Sequence, residues 1–231
     1  MAFQKKQKSR KLNKLFLRTF VILFFAVVCT SASAQPFADE IANFKKKDSD
    51  SFPPPNAILF VGSSSFRKWE DVAGYFPNYT IINRGFGGST LPDMIRYEKD
   101  IIFPYHPKQI VIYCGENDVA SSDTVSAQIV FERFKKLYTD IRIVMPDIPV
   151  LFVSLKPSLS RWQMRDRMTG ANKLIKKYLK KKNNAVFVSV WNVMLGVDGK
   201  PMPGIFLEDN LHMNAKGYAI WQKIIEPYLL K

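Results

Sequence analysis

The sequence predicts an α/β fold in which a parallel sheet is covered by helices on both faces. Five short apolar runs alternate with helix-like stretches, and the apolar residues of each run are consecutive rather than alternating with polar residues. Continuous apolar strands are typical of parallel sheets, because such strands are buried on both faces. The strands are predicted at residues 57–61, 80–83, 109–114, 150–155 and 185–190.

Helices are predicted between these strands and after the last one, which is the alternation expected of an α/β domain. A short helix at residues 38–46 precedes three prolines at 53–55, which break it and lead extended chain into the first strand. Asn214 is a candidate N-cap for the last helix. The main helices are predicted at residues 67–75, 92–102, 126–145, 165–182 and 215–229.

Length and composition predict a single domain. Of the 231 residues, 47% are hydrophobic and 23% are charged, which allows a sizeable core and argues against disorder. No repeat or linker interrupts residues 56–231, so this range is predicted to be the domain. Residues 35–55 are polar and Lys-rich and are predicted to be an N-terminal extension.

Residues 1–34 are expected to be a secretory signal peptide, which predicts export to the periplasm or the extracellular space. A basic stretch at residues 5–18 precedes an apolar stretch at 20–29 that is too short to span a bilayer comfortably. Residues 32–34 (Ala-Ser-Ala) supply a cleavage site of small residues. The alternatives are a leader retained as a membrane anchor and, less favoured, a lipid attached to Cys29. The retained leader would be the chain's only contact with a membrane.

The positive charge of the chain does not indicate a nucleic-acid partner. The formal net charge is +14, but seven cations and no acid lie in residues 1–34, so the remainder carries +7. Six lysines lie within 173–182 on a predicted helix and its end, where the helix dipole favours cations. A nucleic-acid site would interleave aromatic residues for stacking, and only Tyr178 does so here. After removal of the leader, Cys114 is the only cysteine, so no internal disulfide is possible.

Ser64 is a candidate nucleophile at the end of the first strand. The apolar run at residues 58–61 leads directly into residues 62–65 (Gly-Ser-Ser-Ser), where the glycine permits a sharp turn. Open α/β sheets bind their ligands at the carboxyl ends of their strands. The alternative is a polar loop or a helix cap, because serine also caps helices.

Two further stretches at strand ends could bind a negative charge. Residues 85–88 (Gly-Phe-Gly-Gly) are predicted to form an oxyanion-binding turn. The alternatives are a tight structural turn and a dinucleotide-binding loop. Thr90 argues against the dinucleotide-binding loop, because it stands where the third glycine of that loop would be. Asn117 follows the third strand, where its side-chain N–H can stabilise a developing oxyanion. An Asx turn is the alternative there.

His212 is a candidate base, because Asp209 precedes it by three residues. This spacing can bring the carboxylate to the imidazole Nδ1–H and so fix the tautomer. A helix-capping loop with an incidental histidine is the alternative. His106, the only other histidine, is expected in a surface loop.

These four stretches, in this order, resemble the SGNH/GDSL hydrolase superfamily, and the turn at residues 85–90 looks most like its branch of platelet-activating-factor acetylhydrolase catalytic subunits. The resemblance covers about residues 56–231. It implies a three-layer α/β/α sandwich, similar to flavodoxin, around a five-stranded parallel sheet. Where the family's first block has Asp this chain has Ser63, and the Val-Gly-x-Ser alignment favours Ser64 over Ser63 or Ser65 as the nucleophile.

The resemblance also implies an activity and the residues that carry it. It implies a catalytic triad of Ser64, Asp209 and His212, with oxyanion donors at Ser64, Gly88 and Asn117 and no metal or organic cofactor. The expected function is a secreted esterase that removes short acyl groups, such as acetyl, from carbohydrates or small alcohols. A lysophospholipase or thioesterase acting on longer acyl chains is one alternative, and a non-catalytic binding module is another.

Two residues after the fourth strand are expected to border the site. Arg161 and Trp162 could contact a sugar or an anionic group of the substrate. The alternative for both is a packed surface loop. The sequence does not indicate an oligomeric state.

Overall fold

Five parallel strands form the central sheet of residues 35–231, the part of the chain that the structure, a computed structural model, describes. The strand order is β2-β1-β3-β4-β5, and every neighbouring pair is parallel. The strands are β1 Ile58–Gly62, β2 Ile81–Gly85, β3 Gln109–Tyr113, β4 Val150–Val153 and β5 Ala185–Val188. The predicted fold class is therefore confirmed, with strand ends within a few residues of those expected.

Helices cover both faces of this sheet and complete the three layers. α1, α4, α6 and α7 pack on one face, and α2, α3 and α8 pack on the other. The helices are α1 Ala38–Asp50, α2 Ser64–Arg67, α3 Val72–Tyr75, α4 Leu91–Ile101, α5 Glu116–Ser121, α6 Ala127–Val144, α7 Arg165–Leu179 and α8 Ala215–Ile225. Within the described part of the chain, none of these helices is long and apolar enough to cross a membrane.

The central strand β1 shows why the sheet is buried on both sides. Leu59 and Val61 point into the core beneath α4, whereas Ile58 and Phe60 point into the core beneath α8. All four side chains are fully buried. Successive side chains of a strand face opposite sides, so a strand covered on both faces must be apolar at every position.

The helices differ from the predicted ones mainly where short polar segments are involved. The helix predicted at residues 67–75 is divided into α2 and α3, and α5 was not predicted. The α-helix predicted to end at residue 229 ends at Ile225 and continues as a 3-10 turn at Glu226–Tyr228. Pro227, which has no N–H to donate, lies in that turn. The predicted N-cap is confirmed, since Asn214 Oδ1 accepts the N–H of Lys216 at 2.9 Å.

The predicted N-terminal extension contains α1, which packs on the sheet. Residues 37–231 form one structural unit. Ile41 of α1 is buried in the same core as Leu59, and Tyr105 donates to Asp48 of α1 at 2.5 Å. The helix is four residues longer than expected and ends before the prolines. The predicted leader, its cleavage and the anchor and lipid alternatives concern residues 1–34 and lie outside the described residues.

Candidate active site

A hydroxyl, an imidazole and a carboxylate meet at the carboxyl edge of the sheet. Ser64 Oγ lies 2.9 Å from His212 Nε2, and His212 Nδ1 lies 2.5 Å from Asp209 Oδ2. Ser64 begins α2 directly after β1, whereas His212 precedes α8, so the fold joins residues 148 positions apart. The arrangement can pass a proton from the hydroxyl to the imidazole while the carboxylate holds the ring.

The turn after β1 leaves Ser64 partly exposed and buries Ser63 and Ser65. Gly62 has φ of 153°, and a β-carbon there would lie 1.9 Å from the carbonyl oxygen of Tyr113, so only glycine fits this close approach. Ser63 and Ser65 are each only 2% exposed, whereas Ser64 is partly exposed and contacts His212. Of the three serines, Ser64 is therefore the one placed to react.

The loop that carries Asp209 and His212 is held by the Asp209 carboxylate. Asp209 Oδ1 accepts hydrogen bonds from the backbone N–H groups of Leu211 at 2.9 Å and His212 at 2.8 Å. Asn210, which follows Asp209, has a left-handed φ of 55°. Desolvation acts to raise the pKa of Asp209, but the hydrogen bonds from the His212 ring and from the two backbone N–H groups outweigh it and lower the pKa to about 2. The carboxylate is therefore charged at neutral pH and favours the tautomer with a proton on Nδ1.

Gly88 and Asn117 lie side by side at the next strand ends. Gly88 is exposed, and a β-carbon at this glycine would lie 3.8 Å from Asn117 Nδ2. One N–H of the Asn117 amide donates to the carbonyl of Ser89 at 3.0 Å, which leaves the other N–H available. The backbone N–H groups of Ser64 and Gly88 have no acceptor among residues 35–231. The N–H groups of Ser64 and Gly88 and one N–H of the Asn117 amide thus remain available as donors at these strand ends.

The turn at residues 85–88, here called the glycine turn, is held by hydrogen bonds to α1 and β1. Phe86 N–H donates to the carbonyl of Gly62 at 3.0 Å. Gly87 N–H donates to Glu40 Oε2 of α1 at 3.0 Å, and a β-carbon at Gly87 would lie 2.3 Å from the Phe37 ring. Glu40 therefore occupies the Gly87 N–H, and the next donor along the turn is Gly88. This contact with α1 was not predicted, and no local sequence pattern indicates it.

Arg161 is placed differently from expectation. Its Nη2 donates to Asn117 Oδ1 at 2.9 Å, and its Nη1 lies 3.2 Å from Glu116 Oε1. The guanidinium thus lies against the Asn117 amide with two protein partners. A contact between Arg161 and substrate stays a prediction.

Trp162 is half-buried beside a second tryptophan. Its ring stacks on Trp191, with centroids 6.2 Å apart and planes 24° from parallel, and the Arg165 guanidinium lies over it. This packing agrees with the packed-loop alternative and leaves a substrate contact at Trp162 as a prediction. His106 is exposed in the loop before β3, as expected.

Sequence reasoning missed a buried ionic cluster beneath Asn117. Lys156 and Glu116 are almost completely buried, and the lysine Nζ lies 3.0 and 3.2 Å from the two carboxylate oxygens. The Tyr113 hydroxyl donates to the same carboxylate. The one signal was a lysine directly after the apolar run of β4, where burial is expected. Among residues 35–231, no group of three or more His, Cys, Asp and Glu side chains could hold a metal ion.

Comparisons with known proteins show the family and the fold of the chain. A profile of the GDSL-like lipase/acylhydrolase family matches residues 56–220. No curated protein sequence matches the chain. At 13–22% identity, the similar solved structures show the fold alone.

Three of these structures are described here by their sequence identity, TM-score and coverage. A protein from Streptococcus pneumonia, provisionally described as a platelet activating factor, is 19% identical with a TM-score of 0.72, covering 83% of this chain and 92% of that one. A GDSL-like lipase from Bacteroides thetaiotaomicron is 22% identical with a TM-score of 0.65, covering 81% and 97%. An acetylxylan esterase from Geobacillus stearothermophilus is 15% identical with a TM-score of 0.61, covering 75% and 94%.

Proposed function

This chain belongs to the GDSL-like lipase/acylhydrolase family of ester hydrolases, and from that premise we propose that it is a secreted serine esterase that removes short acyl groups from carbohydrates or small alcohols. The observation that carries the proposal is the 2.9 Å contact between Ser64 Oγ and His212 Nε2, with Asp209 behind the imidazole. Secretion rests on the leader pattern of residues 1–34.

The first half of the reaction forms an acyl-enzyme. Ser64 Oγ attacks the ester carbonyl carbon while His212 Nε2 takes the hydroxyl proton, and the Asp209 carboxylate stabilises the imidazolium. The carbonyl oxygen becomes an oxyanion that accepts hydrogen bonds from the Ser64 and Gly88 N–H groups and the Asn117 amide. Each such donor contributes about 3–4 kcal/mol to transition-state stabilisation in well-studied hydrolases.

The second half releases the acid. The tetrahedral intermediate collapses, the bond to the alkoxy oxygen breaks, and His212 gives its proton to the departing alcohol. A water molecule then loses a proton to His212 and attacks the acyl carbon, so that the second collapse frees a carboxylic acid and returns the proton to Ser64. No step of this sequence requires a metal ion or an organic cofactor.

The preference for short acyl groups is supported by what surrounds the triad. The segments that follow β1, β2 and β3 at this edge of the sheet have five residues or fewer, and the longer segments after β4 and β5, both within the described residues, contain no α-helix. One similar solved structure is that of an acetylxylan esterase. A sugar contact at Trp162 stays a prediction, because its ring packs against Trp191 and Arg165.

A series of p-nitrophenyl esters from acetyl to palmitoyl tests the substrate class. We expect kcat/KM to be highest for acetyl or butyryl esters, and Ser64→Ala to lower it by several orders of magnitude. A maximum at palmitoyl would indicate a lysophospholipase or thioesterase instead. Absence of hydrolysis, together with no labelling by a fluorophosphonate, would indicate a binding module.

N-terminal sequencing of the secreted protein tests export. We expect the mature sequence to begin at Gln35.

A further inference from the structure

The orientation of the Asn117 amide decides whether this side chain helps or opposes the reaction. With Nδ2 toward the reacting carbonyl it donates to the oxyanion, whereas the flipped amide would present its own oxygen to a negative charge. Rotation of the amide by 180° changes its shape very little, so packing alone does not select one orientation. The selection must come from hydrogen-bond partners.

Two partners select the orientation, one at each end of the amide. The Ser89 carbonyl accepts from Nδ2 at 3.0 Å, and Arg161 Nη2 donates to Oδ1 at 2.9 Å. In the flipped amide, Oδ1 would face the carbonyl oxygen of Ser89, and the NH2 group would face the donating guanidinium of Arg161. Both hydrogen bonds would then be lost. The bond from Arg161 is charge-assisted and is therefore the stronger of the two.

The Arg161 guanidinium is itself anchored by buried charge. Glu116 Oε1 lies 3.2 Å from Arg161 Nη1, and the same carboxylate binds Lys156 Nζ and the Tyr113 hydroxyl. Lys156 and Glu116 side chains are 1% and 3% exposed. Desolvation acts to raise the pKa of Glu116, but Lys156 and Arg161 outweigh it and lower the pKa, so the carboxylate stays ionised.

The cluster is better suited to orientation than to stability. Burying charged groups has a large desolvation cost, and apolar residues of similar size often stabilise a fold as well or better. The Arg161 guanidinium, which donates to Oδ1, polarises the Asn117 amide and so makes its remaining N–H a stronger donor.

The backbone at Arg161 is fixed by its neighbour. Ser160 N–H and Oγ both bond to the carbonyl of Asn210, at 3.1 and 3.2 Å. Asn210 lies between Asp209 and His212, so this segment contacts the triad loop on one side and the oxyanion amide on the other. The position of the guanidinium is therefore set relative to both halves of the site.

We propose that Arg161 is a positioning residue, held by Glu116 and Lys156, that keeps the Asn117 NH2 group directed at the oxyanion. The proposal rests on the proposed esterase function for its catalytic consequence, but not for the amide orientation itself. Arg161 acts on the reaction only through Asn117. Its effect therefore falls on kcat, because the oxyanion exists only after the substrate has bound.

The test is a double-mutant cycle between Arg161→Met and Asn117→Ala on p-nitrophenyl acetate. We expect Arg161→Met to lower kcat about 10-fold to 100-fold, with less than about a twofold change in KM, because only a minor fraction of the Asn117 amides then keeps the donating orientation. In the Asn117→Ala background the same change is expected to lower kcat by less than about twofold. Equal effects of Arg161→Met in both backgrounds would overturn the proposal.

Arg167→Met is the matched control for loosened structure. Arg167 donates to the carbonyls of Val119, Ser122 and Val125, so it braces the far end of α5 without touching the Asn117 amide. We expect this variant to lose stability while kcat stays within about twofold of wild type. A loss of kcat matching that of Arg161→Met would assign both effects to general loosening and would overturn the proposal.

An NMR measurement reads the amide without any reaction. The side-chain ¹⁵N–¹H₂ signals of Asn117, assigned by their loss in Asn117→Asp, are expected to shift and broaden in Arg161→Met and to stay in place in Arg167→Met. Unmoved signals in Arg161→Met would overturn the proposal even if the chain hydrolysed no ester. If Arg161→Met does not fold, Glu116→Gln replaces it, with a smaller loss of kcat that again vanishes in the Asn117→Ala background.

Discussion

At the scale of single residues, reactivity is set by which atoms each side chain can reach. Ser64 is placed to react because Gly62 allows the chain to pass close to Tyr113 and turn the hydroxyl toward His212. Any side chain at position 62 would meet the Tyr113 carbonyl oxygen at 1.9 Å and would push this turn away from the sheet. The nucleophile therefore depends on a residue that takes no part in the chemistry.

The lowered pKa of Asp209 predicts how the free energy of unfolding depends on pH. Its pKa is about 2 in the folded protein against an ordinary value of 3.8, so below pH 4 the unfolded chain binds more protons than the folded one. The stabilising contribution of Asp209 is complete above about pH 4 and is lost as the pH falls toward 2. We expect the free energy of unfolding of wild type to exceed that of Asp209→Asn at pH 5, and the difference to shrink between pH 4 and 2. Urea unfolding at several pH values measures this.

Because Asp209 is 45% exposed, solvent screening keeps this contribution modest. Glu208→Gln, which changes an exposed neighbouring carboxylate with no paired histidine, is the control. A difference between wild type and Asp209→Asn that stays constant from pH 5 to pH 2 would contradict the assigned ionisation.

At the scale of elements, α1 has a role beyond covering the sheet. Its first turn places Glu40 on the Gly87 N–H and on Arg67 of α2, at 3.0 and 2.7 Å. The helix thus connects the turn that carries Gly88 to the helix that carries Ser64. The proposed extension of residues 35–55 accordingly holds part of the turn that we propose binds the oxyanion.

Glu40→Ala tests this connection. It removes the acceptor of the Gly87 N–H, and we expect kcat on p-nitrophenyl acetate to fall about threefold to tenfold and the free energy of unfolding to fall by about 1 kcal/mol. Asp39→Ala is the matched control, since Asp39 is an exposed acid in the same first turn. Equal kcat values for the two variants would show that α1 does not support the glycine turn.

The short helix α5 shows where element prediction reached its limit. Its sequence is polar, and local propensity favours a turn as much as a helix. What holds it is contact with other helices: the buried Asp118 accepts the N–H of Leu91 at 2.9 Å and binds Arg133 at 2.8 Å. Such partners lie far away in the sequence, so a local pattern cannot reveal them.

At the scale of the whole molecule, the sheet could be predicted because its central strands are built of consecutive buried apolar residues, as β1 is at residues 58–61. Ser64, Asp209 and His212 could be singled out because each lies at a strand end or on the last loop. The Lys156–Glu116 pair could not be predicted, since its members are 40 residues apart and the position of Lys156 after an apolar run does not indicate which carboxylate it pairs with. The same holds for the contact of α1 with Gly87.

The most direct test of the account is the site of covalent labelling by a fluorophosphonate, read by intact and peptide mass spectrometry. We predict one adduct per chain on Ser64, none in Ser64→Ala, and labelling slowed at least about a hundredfold in His212→Ala, because only the activated hydroxyl attacks phosphorus at a useful rate. An adduct on another residue, or wild-type labelling of Ser64→Ala, would contradict the assignment of the nucleophile.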